Sequence, residues 1–510
     1  MLESVSSLQI VLAATPVVLL IVLLGFLKLP GEKSALITLI ATILIGLFGF
    51  NLSGIDTVLS IGYGITKAVF PILVIILMAI YSYNVQVESE KIEIIKQQFS
   101  SISKDKSVQV LLLTWGFGGL LEGMAGFGTA VAIPAAILIS LGFKPMFSAI
   151  VSLIANSVPT AFGAVGIPVI VLAREVDMVD QITVISSHVV WQLAVLMLLV
   201  PFLIVTLADK SVKSIPKNIL LSVLVGGVSL AVQYYAAVYI GAETPAILGS
   251  LASIITIVIF GKLTSKKERK EQASNFAFKE IFKAWSVYGF ILLFVLLTSP
   301  LFPFSAFMKA NWQIFQTNFN YTIVGSVHTV GVYWLTDTGV LIFLSSILGG
   351  LIQGLSLGAL FKLLAKTGVQ LKKTVITVGC LIALSTIMDF SGMITVLGVA
   401  LATATGAFYP FFAPAIGALG TFLTGSDTSS NILFGKLQAT VADRIGSDKG
   451  WLAAANTTGA TGGKIMSPQS IAVATTACGQ QGKEGVILKN AVIFSLMYII
   501  VAGIIVYLGS

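Results

Sequence analysis

Charge is what this sequence lacks. Only 10% of its 510 residues are charged, where soluble domains run near 25%. With 56% of the residues hydrophobic, a soluble fold of this length is excluded, and the bilayer must be the solvent for most of the chain. Cysteine is almost absent. Cys380 and Cys478 lie in apolar runs, which excludes a disulfide framework and reads as two small core residues. With two histidines, no metal-ligand cluster, no Walker A sequence and no dinucleotide fingerprint, ATP-driven work, metal chemistry and a bound cofactor have no support. The formal charge of +8 does not point to nucleic acid, because the basic residues sit in short loops, where they set orientation. Glu3 is followed by no basic n-region and no cleavage site, so 8–28 reads as a retained first helix.

What the sequence has is long apolar runs. A spanning helix needs roughly 20 such residues. Backbone groups in lipid must pair within the element, and these runs lack the alternation of barrel strands, so they are helices. The expected fold is an all-α polytopic membrane protein, one transporter domain over 1–510. It has about 12 transmembrane helices, at 8–28, 33–50, 63–85, 144–173, 180–208, 217–239, 244–263, 279–299, 336–360, 371–390, 450–479 and 486–508. Two further stretches, 107–142 and 409–445, are interrupted by Gly, Ser, Asp and Asn. They read as re-entrant hairpins, which persist at membrane depth only where protein or a water-filled cavity surrounds them. The segment 86–106, rich in Glu and Lys, reads as a solvated surface helix.

Lysine and arginine orient the chain. The loop 262–283 is the most basic and reads as cytoplasmic, while 300–335 holds only Lys309 and reads as outside. Counting spans then places 28–33, 86–106, 209–217 and 361–373 inside, each with lysine, and both termini outside.

The halves echo each other. Gly118-x-x-Leu121-x-Gly123 has a counterpart in Gly420-x-x-Leu423-x-Gly425, and Ala155-Asn156, Gly163 and Pro168 match Ala455-Asn456, Gly463 and Pro468. The first repeat covers about 63–208, with hairpin 107–142 and broken helix 144–173. The second covers about 371–508, with hairpin 409–445 and broken helix 450–479. Seven spans between the hairpins invert the second repeat, an arrangement that secondary transporters build around a central site.

The chemistry concentrates in the interruptions. Ser426-Asp427-Thr428-Ser429-Ser430-Asn431 puts six polar residues into an apolar segment, where they need partners, water or a solute. A half-helix starting there offers free N–H groups to an anion. Glu122, among glycines and apolar residues, is costly to ionise in a membrane and is a candidate proton carrier; Asp427 is the other. Lys464 is the candidate counter-charge for a carboxylate, with an ion pair to Asp427 or Glu122 as the competing reading. Glycines 459, 462 and 463 would free the backbone to leave helical geometry, with Asn456 and Thr457 beside the break and Asn156, Ser157, Thr160 and Gly163 as the matching wall. Asp389 reads as facing water and His188 as a core or interfacial residue.

Several of these motifs resemble the bacterial L-lactate permease family. They are Leu121-Glu122-Gly123-Met124-Ala125-Gly126-Phe127-Gly128, Leu141-Gly142-Phe143-Lys144-Pro145, Phe162-Gly163-Ala164-Val165-Gly166-Ile167-Pro168, Leu423 through Asn431, Ala455-Asn456-Thr457-Thr458-Gly459 and Ser467-Pro468-Gln469-Ser470. They span nearly the whole chain, with 210–350 resembling the family least. The resemblance implies a multi-pass permease of the bacterial cell membrane that carries L-lactate, and often D-lactate or glycolate, with protons. It also implies a place in the broad ion-transporter superfamily, with paired hairpins and elevator motion as one mechanism. The expected substrate contacts are Ser426, Thr428, Ser429, Asn431, Asn156, Asn456, Thr457 and Lys464, with proton coupling at Glu122 or Asp427. A sodium-coupled carboxylate transporter, a channel and a membrane-embedded enzyme are the alternatives. Oligomeric state stays open, a homodimer among the options.

Overall fold

The computed structural model describes residues 6–27, 29–100, 105–126, 128–209, 211–264, 276–299, 315–480 and 483–510, with 302 and 307. It is an α-helical membrane protein. Among these residues ten helices are long and apolar enough to cross a bilayer. Their outward faces carry large apolar side chains such as Ile40, Phe48, Leu220 and Ile493, which lipid accommodates.

Several elements differ from the sequence expectation. The region 144–173 is divided into Pro145–Ala155, Ser157–Thr160 and Gly163–Glu175. Gly354, in the left-handed region, ends Thr338–Gln353 short of the expected span 336–360, and Leu357–Gln370 is helical across most of the expected loop 361–373. Met393–Thr405 is an additional helix. The helix Lys91–Ser100 docks through the buried Ile92 and Ile95 instead of lying free on the surface. The segment 300–335, expected outside, holds a two-stranded antiparallel ribbon among its described residues, β1 (Gln316–Ile323) and β2 (Ser326–Tyr333). Its two-residue turn, Val324-Gly325, has both φ angles positive, the geometry that matches strand twist. Lysines 266, 267 and 270, and Arg269, lie outside the described residues.

The broken helix expected at 450–479 breaks later than its glycines suggest. Lys449–Met466 is continuous through Asn456 and Lys464, and the chain leaves helical geometry only at Ser467. The glycines serve packing instead. A Cβ at Gly459 would lie 1.7 Å from the Pro414 carbonyl oxygen, and one at Gly463 would lie 2.2 Å from that of Ala418. This small-xxx-small spacing lets the helix press onto Tyr409–Thr424. Gly459→Val is expected to destabilise the protein by more than about 3 kcal/mol, because backbone cannot yield as a side chain can. Loss of monodisperse protein in detergent, or a melting midpoint lowered by many degrees, is the check.

The helices pack into two bodies. One comprises the described residues of 7–100 and 278–405, the other those of 106–264 and 409–508. In the first body Gly31–Gly49 and Lys372–Phe390 run parallel, with Gly31 against Thr377 and Gly46 against Ile387. One face of the molecule therefore carries Gly31 and Lys373, and the opposite face carries Phe390. The ribbon caps that opposite face: Asp56 accepts from the Val324 N–H at 2.9 Å, and His328 packs on Phe390.

Candidate functional site

Two interrupted helix pairs meet in the second body. In the first, Gly118–Met124 ends at a turn where Gly126 and Gly128 adopt positive φ, and Thr129–Ser140 follows. In the second, Tyr409–Thr424 ends at Gly425, also at positive φ, and Ser426 caps Asp427–Ile445 by accepting from the Ser429 N–H. A third helix, Pro468–Ala477, starts close by with Ser467 as its cap and Pro468 at its first position. Gly128, Ser426–Ser429 and Gln469–Ser470 all line one cavity of about 360 Å³. Three helix N-termini thus converge on a single space, each bringing the positive end of its dipole.

The cavity lies at the seam between the bodies. The first body supplies Glu32, Lys373, Thr374 and Thr377 as the facing wall, and the largely exposed Lys373 marks the mouth. Glu122, Asp427 and Lys464 line the deep part. Lys464 Nζ is 3.3 Å from Glu122 Oε1, and Thr421 donates to Asp427 Oδ1 at 3.2 Å. Glu122 and Asp427 are each only 2% exposed, and each has one oxygen, Oε2 and Oδ2, with no hydrogen-bond partner. One buried cation therefore serves two buried carboxyl groups, and each keeps an open oxygen. Gly163 creates the room for Glu122: a Cβ there would lie 2.7 Å from Oε1.

The sequence candidates divide into two sets. Ser426, Asp427, Thr428, Ser429, Lys464 and Glu122 come together on the cavity wall. Asn431, Asn456 and Thr457 do not line it. The Asn431 amide donates to the Pro168 carbonyl at 2.9 Å and to Thr457 at 2.8 Å, and its oxygen accepts from Asn456 at 2.9 Å. All three are fully buried, and they tie the second hairpin to the irregular start of Gly163–Glu175. There Ala164, Val165 and Gly166 are left-handed. Asn156 is also off the wall and donates to Thr160, which is on it. Asp389 pairs with Lys436 at 3.5 Å instead of only facing water. His188 stacks edge-on against Trp451 and is not among the cavity residues.

Sequence reading passed over Gln469 and Ser470, although both lie in a motif it singled out. It had no signal for Glu32, Thr374 and Thr377, which only the packing of the two bodies brings to the site. Gln469 constrains the hairpin tip, since a Cβ on Gly425 would lie 1.9 Å from its Oε1. Gly425→Ala, which adds that clash to a positive φ, is expected to cut solute uptake about tenfold or more while the protein still folds. Uptake normalised to folded protein in the membrane is the check.

A family model described as L-lactate permease matches residues 9–509. An L-lactate permease of Streptococcus iniae is 40% identical over 88% of this chain and 93% of its own length. The glycolate permease GlcA of Escherichia coli is 35% identical over 99% of this chain and 96% of its own. An L-lactate permease of Bacillus subtilis is 32% identical, with 97% and 95% covered. Among solved structures, that of Neisseria gonorrhoeae MtrF, described in a study of antimetabolite efflux pumps, is similar at a TM-score of 0.50 and 13% identity. The likeness covers 95% of this chain and 96% of that one, and at this identity it speaks to the fold alone.

Proposed function

The chain belongs to the L-lactate permease family, and on that premise we propose that it is a secondary transporter of L-lactate and related small 2-hydroxy monocarboxylates, glycolate among them, moved together with protons. The observation that carries the reading is the deep wall of the cavity, where three helix N-termini and Lys464 face a space at the small end of ligand pockets, which run from roughly 300 to 1,000 Å³.

The proposed binding step follows from charge. With Glu122 and Asp427 both ionised, Lys464 is outnumbered and an anion is repelled. The solute carboxylate takes the place of Glu122 at Lys464, and Glu122 or Asp427 takes up a proton. One anion and one proton then enter together, and the buried charge stays the same. Ser426, Thr428, Ser429 and Ser470 supply hydrogen bonds to the carboxylate and the 2-hydroxyl. A second carboxylate on the solute finds no second free cation deep in the cavity, so dicarboxylates are poor ligands. Translocation is movement of the hairpin-bearing second body against the first, which changes the face to which the cavity opens. In this reading the chain sits in the bacterial cell membrane with the Lys373 face cytoplasmic and the ribbon and both termini outside.

Binding of labelled L-lactate to the purified protein tests the substrate class. Competition by glycolate and not by succinate is expected. Preferential competition by succinate would overturn the assignment.

A further inference from the structure

The seam between the two bodies has charged contacts that the proposed binding step does not use. Lys67, on the first body, is 3.2 Å from Glu175 on the second. The two side chains are 12% and 5% exposed. Lys436, on the second body, is 3.5 Å from Asp389 on the first, and also 2.5 Å from Asp177 on its own body. Among the described residues these are the two ion pairs that join the bodies. Lys464–Glu122 and Lys373–Glu32, at the cavity, each stay within one body.

Both crossing pairs lie on the same side of the cavity. Lys436 follows Asp427 by nine residues of continuous helix, about 13 Å along the axis. Glu175 ends the helix whose first residue, Gly163, abuts Glu122. Lys67 lies under the ring of Tyr63, which packs on Tyr321 and His328 of the ribbon and on Phe390. Asp389 is next to Phe390, where that helix ends. The cavity mouth, by contrast, is at Glu32 and Lys373. The seam is therefore open to the cavity on one face and joined by ion pairs toward the other.

We infer that Lys67–Glu175 and Lys436–Asp389 form an ionic clasp that holds the seam shut on the ribbon face and so stabilises the conformation in which the cavity opens at Lys373. Sliding one body past the other separates these pairs and leaves the ion pairs within each body intact. Lys436 keeps Asp177 as a partner when Asp389 withdraws, so its charge is not stranded. Lys67 and Glu175 are the costly pair to part, because among the described residues neither has an ion-pair partner on its own body, and each is left with a buried charge. The clasp therefore sets the balance between the two access states. That consequence rests on the transport reading, while the clasp itself does not.

The test replaces Cys380 and Cys478 with alanine, places a reporter with Thr377→Cys at the cavity mouth, and follows its rate of labelling by a membrane-impermeant maleimide in the purified protein. Lys67→Met with Glu175→Gln removes the pair without leaving an unpaired charge. Labelling is expected to slow by about tenfold as the population leaves this state. The exchanged pair Lys67→Glu with Glu175→Lys is expected to restore the rate, which a general loss of folding would not allow. Unchanged labelling in the neutral double variant, confirmed as folded by its elution as a single species, would overturn the clasp. Lactate uptake is read separately in vesicles of the unaltered protein. Its absence there would count against the transport reading, while the labelling rate alone decides for or against the clasp.

Discussion

Lys464→Gln is expected to lower L-lactate uptake by at least about thirtyfold, since truncating one member of a buried charge pair costs 2–5 kcal/mol. The side chain is 13% exposed and 3.3 Å from Glu122, so the loss has two parts. The solute carboxylate loses its buried cation, and Glu122 is left beside Asp427 with nothing to balance either. The exchange of solute for Glu122 at the cation is then no longer possible, and the proposed link between solute and proton is lost. Lys464→Arg keeps the charge but replaces a compact ammonium with a planar guanidinium. It is expected to recover only part of the rate. Initial uptake rates at several lactate concentrations separate the two effects. A variant that kept wild-type uptake would remove Lys464 from the site.

The second large effect concerns coupling. Glu122→Gln with Asp427→Asn leaves Lys464 as a free cation and removes both groups able to take up a proton deep in the cavity. This double variant is expected to exchange labelled for unlabelled lactate across the membrane, yet to show an accumulation ratio near one under an inward proton gradient. Each single variant is expected to accumulate less than wild type, because one carboxyl group remains. The open oxygens of both residues, Oε2 and Oδ2, are the places where a proton or a solute hydroxyl can bind without breaking an existing bond. Full accumulation in the double variant would show that the proton travels elsewhere.

The apolar runs made the membrane class legible, because lipid exposure leaves a long continuous signal. The polar run from Ser426 to Asn431 was legible as a candidate site, because six polar residues in an apolar segment need partners, water or a solute. The division of labour inside that run was not legible. Asn431 and Ser429 look equivalent in sequence. Only the fold puts Pro168, Asn456 and Thr457 around the Asn431 amide and leaves Ser429 on the cavity wall. Gly459 and Gly463 misled for a physical reason: glycine both breaks helices and lets them touch. Here the Pro414 and Ala418 carbonyls occupy the space that a side chain would need. Glu32 and Thr377 belong to no motif and reach the cavity through the packing of one body on the other. The ribbon was hidden because a two-residue turn at Val324-Gly325 between short strands carries little signal beside the helices.

Joint entry of a small hydroxy acid anion and a proton into this cavity can be measured in proteoliposomes of the purified protein. Uptake of labelled L-lactate is followed under an inward proton gradient, with sodium absent. Accumulation above the external concentration is expected, and it should collapse when a protonophore is added. Uptake that needs sodium, or that only equilibrates whatever the gradient, would contradict proton-coupled entry.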